Sequence, residues 1–232
     1  MFVENRRWAD FGISEARLRR ALKGVAPLDR PAFPVRVFYD VYAKGQRKPR
    51  WGDKTPGYGT VMRRIHNVLP EAHFVHMIRD GRDVALSLEQ RDSELTTEQV
   101  ARRWRHRINR TRRVAEFVPH YIEVRYEDLI TEPEATLRRV CKFIELDWDP
   151  RILEYHHNAE DRMSEIERPL QGEKDKRALS AESRVEAHAL TSEPPQADRV
   201  ALWQERMSDE DLAIFDEHAG ELLADLGYPK AT

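Results

Sequence analysis

An arginine that closes a short apolar run, followed by a turn and then a hydroxyl on a helix, is a combination able to hold a phosphate. Residues 74–88 read FVHMIRDGRDVALSL. The run 74–78 suits a buried strand, Arg79 leaves its end, Gly81 permits a tight turn, and Ser87 falls one helical turn past Asp83. Ligands of open parallel sheets sit beyond the carboxyl ends of the strands, where helix N-termini present free N–H groups and a partial positive charge. A guanidinium there adds a forked, charged donor. The same residues also permit a plainer reading, in which Asp83 caps the helix and Arg79 and Arg82 pair with nearby acids. A second junction, GDKTP (52–56), offers the Lys54 ammonium and the Asp53 carboxylate, the latter as a base or as a cap and ion-pair partner.

Both junctions need a sheet to carry them. Strand, helix, strand, helix with short joints is the pattern of a parallel sheet covered by helices, so the expected class is α/β. The segment 50–54 leads into Thr55-Pro56, an N-cap and N1 pair, with Tyr58, Val61, Met62, Ile65 and Leu69 as the stripe of the next helix. A long helix is expected over 98–117, a third strand over 121–124, and a helix from Pro133 with Leu137, Val140, Cys141 and Ile144 inside. Residues 1–45 read as helical, with Leu18, Leu22 and Val25 following a cap at Ser14, then Phe33, Val37 and Val41. Residues 156–197 lack periodicity and read as mostly loop. The chain closes on a helix capped by Ser208 and Asp211 and ended by Gly227.

Composition limits the partners. The 232 residues carry 39 Lys+Arg against 41 Asp+Glu, a net charge of -2, which excludes a bulk polyanion binder and makes nucleic acid an unexpected partner. One cysteine, Cys141, excludes an internal disulfide framework and a Cys-based zinc site. No apolar run is long enough to span a membrane, and the opening MFVENRRWADF lacks the apolar core of a secretion signal. The expectation is one soluble, cytoplasmic domain over 1–232. Seven arginines between Arg102 and Arg113 suit an anionic ligand or a solvated outer face, and the apolar opposite side of that helix favours the face. His73 and His76 point to opposite faces of a strand, and His156-His157 has no third ligand nearby, so no metal is expected. Trp203 and Phe215 are core candidates.

The run WGDKTPGY (51–58), followed by LPEAHFVHMIRDGRDVALSL (69–88), resembles the sulfotransferases that use 3′-phosphoadenosine 5′-phosphosulfate. VRYEDLITEPEATLRRVCKFI (124–144) and RVALWQERMSDEDLAIFDEHAGELLADLGY (199–228) are similar to two later landmarks of that family, the second typical of bacterial members. The resemblance implies a P-loop NTPase-like parallel sheet flanked by helices. It also implies transfer of a sulfuryl group to a hydroxyl or amine of a small-molecule, carbohydrate, lipid or peptide acceptor, without a metal. It gives Arg79 and Ser87 the donor's 3′-phosphate, Tyr126 the adenine, and Arg199 a further contact with the 3′-phosphate. Lys54 would stand by the transferring group and stabilise charge on the bridging oxygen. Glu4 is the only early acid to test as the acceptor's base.

One family element has no counterpart. The Gly/Ser/Thr-rich turn after the first strand, whose N–H groups hold the 5′-phosphosulfate, matches no segment of this sequence. The domain is therefore expected to be N-terminally incomplete, lacking its first and central strand and leaving neighbouring strands with unpaired backbone groups. Such a chain should be poorly stable or insoluble unless another segment fills the gap. Two alternatives follow: a non-catalytic nucleotide-binding remnant of the family, and a P-loop kinase in which Gly52-Asp53-Lys54-Thr55 imitates the end of the phosphate loop. Against the kinase, Arg47 stands where the earlier glycine belongs.

Overall fold

Two pentapeptides make the sheet. FVHMI and YIEVR form β1 (Phe74–Ile78) and β2 (Tyr121–Arg125), paired in parallel from Phe74↔Tyr121 to Ile78↔Arg125. A parallel pair needs a crossover, supplied here by α4 (Gly81–Glu89) and α5 (Thr97–Ala115). The computed structural model describes residues 4–23, 32–89, 95–159, 163–167, 169–170, 179–186 and 188–231. They divide into two units, Met1–Lys54 with Glu154–Pro194 and Thr55–Leu153 with Pro195–Thr232.

The first unit is built on α1 (Glu15–Leu22) and α2 (Ala32–Gly45). Ser14 caps α1 by accepting the Arg17 N–H, as the sequence suggests, while Val25 lies outside the described residues. Ile13, Leu18, Phe38 and Val41 form its core, with Phe11 edge-on to Phe38 and Tyr42. The buried Arg184, on the short helix α8 (Ala181–Glu186), forms a two-pronged pair with Asp10 at 3.1 and 2.6 Å. The 156–197 stretch thus holds a helix as well as irregular chain.

The second unit adds α3 (Met62–Val68), α6 (Tyr126–Thr131), α7 (Pro133–Phe143), α9 (Trp203–Arg206) and α10 (Asp209–Asp225). Its core joins Ile78, Ala85, Trp104, Ile108, Phe215 and Leu222, among others. A reciprocal Thr96–Gln99 box starts α5, Pro133 opens α7, and Ser208 caps α10. Cys141 is buried on α7. No helix among the described residues is long and apolar enough to cross a membrane.

Two expectations need correction. The strand over 121–125 is the second of two among the described residues, not the third. The helix expected after Thr55-Pro56 starts at Met62, not at Pro56, after a 3₁₀ turn over Tyr58–Thr60. Gly57 and Gly59 interrupt the apolar pattern there, and a Cβ on Gly59 would meet the Thr111 hydroxyl at 2.5 Å, so this turn is shaped by its approach to α5. Among the described residues β1 has a ladder partner on one edge only, and Val75 and Met77 on one of its faces remain 41% and 44% exposed.

A polar clamp ties β2 to both long helices. Arg112 of α5 donates to both Glu123 oxygens at 2.8 Å and also pairs with Asp225 of α10. The Tyr121 hydroxyl donates to Glu123 at 2.8 Å and stands 2.7 Å from His76 Nδ1. Burial alone would raise the Glu123 carboxyl, but the bonds from Arg112 and Tyr121 hold it below its ordinary value. A carboxylate with a depressed folded pKa stabilises the fold above the unfolded pKa and loses that contribution as pH falls through the folded one. Acid unfolding of the chain should therefore steepen below the ordinary glutamate range, and Glu123→Gln should be less stable at neutral pH yet lose less on acidification. Equal pH slopes for the two proteins in denaturant titrations would contradict this.

Candidate functional site

The in-register pairing of β1 and β2 continues past their ends and decides which residues meet. Ile78 faces Arg125, so the next residues, Arg79 with Tyr126 and Asp80 with Glu127, are brought side by side. The Arg79 guanidinium lies 5.0 Å from the centre of the Tyr126 ring. The Asp80 N–H donates to Glu127 Oε1 at 2.9 Å, and the Tyr228 hydroxyl donates to Glu127 Oε2 at 3.0 Å.

The RDGRD junction buries most of its charge. Asp80 accepts the Arg82 N–H at 2.9 Å, starting α4, and grips the Arg82 side chain through both oxygens at 3.0 and 2.7 Å. Arg82 is 2% exposed and its guanidinium lies 3.4 Å over the Trp203 ring. Asp83 turns to the C-terminal segment, accepting the N–H groups of Ala201 and Trp203, each at 3.0 Å. Burial pushes its carboxyl up, opposed by those two bonds and by Arg79. Ala201 has φ of 59°, a left-handed conformation that costs a non-glycine residue about 1–2 kcal/mol. Its bond to Asp83 offsets that cost. The plainer reading of the junction thus describes Arg82, which pairs with Asp80, but not Asp83, which holds the C-terminal segment while Asp80 takes the N–H at the helix start.

Arg79 is different. Its carbonyl accepts the Trp104 indole N–H at 3.1 Å, which fixes the backbone, and Nη2 donates to the Arg199 carbonyl at 2.9 Å. The nearest acid, Asp83, is 3.7 Å away and already holds two N–H groups. Arg79 Nε is buried and meets no acceptor among the described residues. A strand-end arginine with an unused donor, stacked on a tyrosine beside the first turn of a helix, can hold an anion attached to an aromatic ring system.

The structure brings together Arg79, Tyr126 and the backbone of Arg199. The Arg199 side chain is half-buried, and the atom it presents to Arg79 is its carbonyl oxygen. Ser87 is half-buried on α4, one turn beyond Asp83 on the same face, and makes no hydrogen bond to Arg79 among the described residues. Lys54 and Glu4 are exposed and belong to the first unit. His73 stacks on His120, whereas His76 is engaged by Tyr121. Sequence reasoning missed the Asp80–Glu127–Tyr228 chain and the hold of Asp83 on Ala201 and Trp203. Their only signal was two acidic motifs, RDGRD and RYED, at strand ends.

The role of Gly81 also changes. Its φ is not in the left-handed region, so the turn does not require glycine; a Cβ there would stand 2.5 Å from Phe215 and 2.6 Å from Trp104. Gly81 lets the start of α4 touch the core.

This arrangement is an α/β unit with an arginine–tyrosine pair at the carboxyl ends of parallel strands, the place where ligands of open α/β sheets sit. Comparison with known proteins narrows it. The profile of the "Sulfotransferase family" matches residues 3–150, and the chain belongs to that family. It is similar to Protein-tyrosine sulfotransferase A of Caenorhabditis elegans, 31% identical over 121 residues, which cover 49% of this chain and 31% of the relative. It is likewise similar to the Protein-tyrosine sulfotransferase of Drosophila melanogaster, 28% identical over 127 residues, covering 51% of this chain and 25% of the relative. The chain thus spans a quarter to a third of these two curated relatives.

Substituting Gly81→Ala should lower stability by about 1–3 kcal/mol, the usual cost of overpacking a full core. Chemical denaturation measures it, and an unchanged midpoint would show that the two rings yield freely.

Proposed function

We propose that the protein transfers a sulfuryl group from 3′-phosphoadenosine 5′-phosphosulfate, and that the cluster at the ends of β1 and β2 grips the 3′-phosphate and adenine of that donor. One observation supports the reading: the Arg79 guanidinium sits on Tyr126 with a buried Nε that meets no acceptor among the described residues. A 3′-phosphate supplies that acceptor, and the adenine supplies a flat surface for the tyrosine. Ser87 adds a hydroxyl donor from the same helix face as Asp83. The Arg199 side chain adds a second cation, and its carbonyl aims Arg79.

The relatives' names favour a tyrosine hydroxyl of a protein or peptide as acceptor. In the transfer, the acceptor oxygen attacks sulfur, the bond from sulfur to the bridging phosphate oxygen breaks, and the acceptor proton leaves to a base. Asp53 and Glu4 are the acids to test as that base. Lys54 is the cation assigned to the charge that grows on the bridging oxygen. Binding of adenosine 3′,5′-bisphosphate without transfer to any tyrosine peptide would instead select the non-catalytic nucleotide binder.

Calorimetry tests the site. Arg79→Ala should weaken adenosine 3′,5′-bisphosphate by about 1.5–3 kcal/mol, the range for a charge-assisted bond, while adenosine 5′-monophosphate, which lacks the 3′-phosphate, should bind both proteins alike. Equal affinity of wild type and variant for the bisphosphate would remove Arg79 from the site.

A further inference from the structure

The two flanks of α5 differ in what stands beside them. Toward α10 its charges meet acids: Arg112 pairs with Asp225, while Glu98 takes Arg102 and stands 3.6 Å from His218. On the other flank Arg103, Arg107 and Arg110 follow one another at helical spacing, and the row continues through Val114 to Phe117. Val114 and Phe117 line a recess of about 380 Å³ with Val61, Arg63, Arg64 and Asn67, so α3 widens the row. Arg63, Arg64, Arg103, Arg107 and Arg110 are exposed, and none has an acidic partner among the described residues. The Arg63 guanidinium stands 5.0 Å from the centre of the Phe117 ring, which is 58% exposed.

We propose that this flank docks the protein on an anionic membrane surface, independently of the nucleotide reading. The guanidinium groups lie among lipid phosphates and the Phe117 ring enters the acyl boundary. An exposed ring set among unpaired cations is the combination that a bilayer interface favours, because the apolar atoms leave water while the charges stay with the headgroups. The row lies on the convex outside of a helix, about 18 Å long from Arg103 to Ala115, which meets a flat surface along its whole length. A nucleic acid would use the arginines but offers its phosphate backbone nothing apolar for Phe117, and the acids of α10 stand about 10 Å away, the ordinary spacing of packed helices. Each cation held at a negative leaflet raises partitioning by about fivefold. Binding is therefore reversible and falls with salt.

Flotation of the full chain with vesicles tests this. Wild type should bind vesicles of phosphatidylcholine mixed with phosphatidylglycerol at about 0.1 M salt and leave them at about 0.5 M, where screening shortens to a few ångström. It should not bind phosphatidylcholine alone. Arg63→Gln with Arg107→Gln should lower partitioning by about 25-fold, and Phe117→Ala by on the order of tenfold. Arg102→Gln with Arg105→Gln removes the same charge from the α10 side and should leave partitioning within about twofold. Circular dichroism checks folding, and Arg64→Gln with Arg110→Gln replaces the first pair should it not fold, with the same loss expected. A wild type that ignores the anionic vesicles overturns the proposal, whether or not it binds an oligonucleotide or polyglutamate. So does equal binding to neutral vesicles, or an equal loss in the two paired substitutions.

Discussion

The candidate site depends on one buried carboxylate. Asp83, fully enclosed at the start of α4, holds the N–H groups of Ala201 and Trp203 and so fastens a segment more than a hundred residues away to the end of β1. Without it, two N–H groups would be stranded in the interior, at about 1–3 kcal/mol each. The neighbouring Asp80–Arg82 pair closes the same joint from the other side, with Trp203 lying on the guanidinium. A buried ion pair is weak evidence for stability but sets geometry well when its remaining bonds are satisfied, as here. The outcome is positional: the Arg199 carbonyl arrives where Arg79 needs an acceptor for one nitrogen, leaving another free.

Sheet register does the rest. Because β1 and β2 pair in parallel and end together, their first residues beyond the ladder become neighbours, and Arg79 finds Tyr126 without a long connection. Glu127, next along, reaches the Asp80 N–H and the Tyr228 hydroxyl and joins the C-terminus to the same joint. In the proposed function, the guanidinium nitrogen left over at this corner is the group that would meet the donor's phosphate.

Much of this was legible in the sequence where one local rule acted alone. The apolar run 74–78 bounded by charge reads as a strand, and Pro133 and Ser208 mark helix starts because each offers a preset φ or a cap, whereas the Thr96 cap of α5 was not singled out. Thr55-Pro56 carried the same signal and failed, since two glycines followed and packing of Gly59 on Thr111 shaped a 3₁₀ turn instead. Gly81 was legible as necessary but for the wrong reason: close approach to Phe215 and Trp104 leaves no local mark. The pairing of Asp83 with residues 201 and 203 could not be read, because a long-range bond between a carboxylate and backbone N–H groups has no periodicity. Ser87 and Arg79 are paired by spacing and by resemblance, whereas the structure joins Arg79 to Tyr126 and the Arg199 carbonyl.

The most direct measurement is a crystal structure of the chain grown with adenosine 3′,5′-bisphosphate. The account predicts the 3′-phosphate within hydrogen-bond distance of the Arg79 guanidinium and the Ser87 hydroxyl, with the adenine against Tyr126. A nucleotide bound elsewhere in the second unit, with Arg79 still engaged by the Arg199 carbonyl and Asp83, would contradict it.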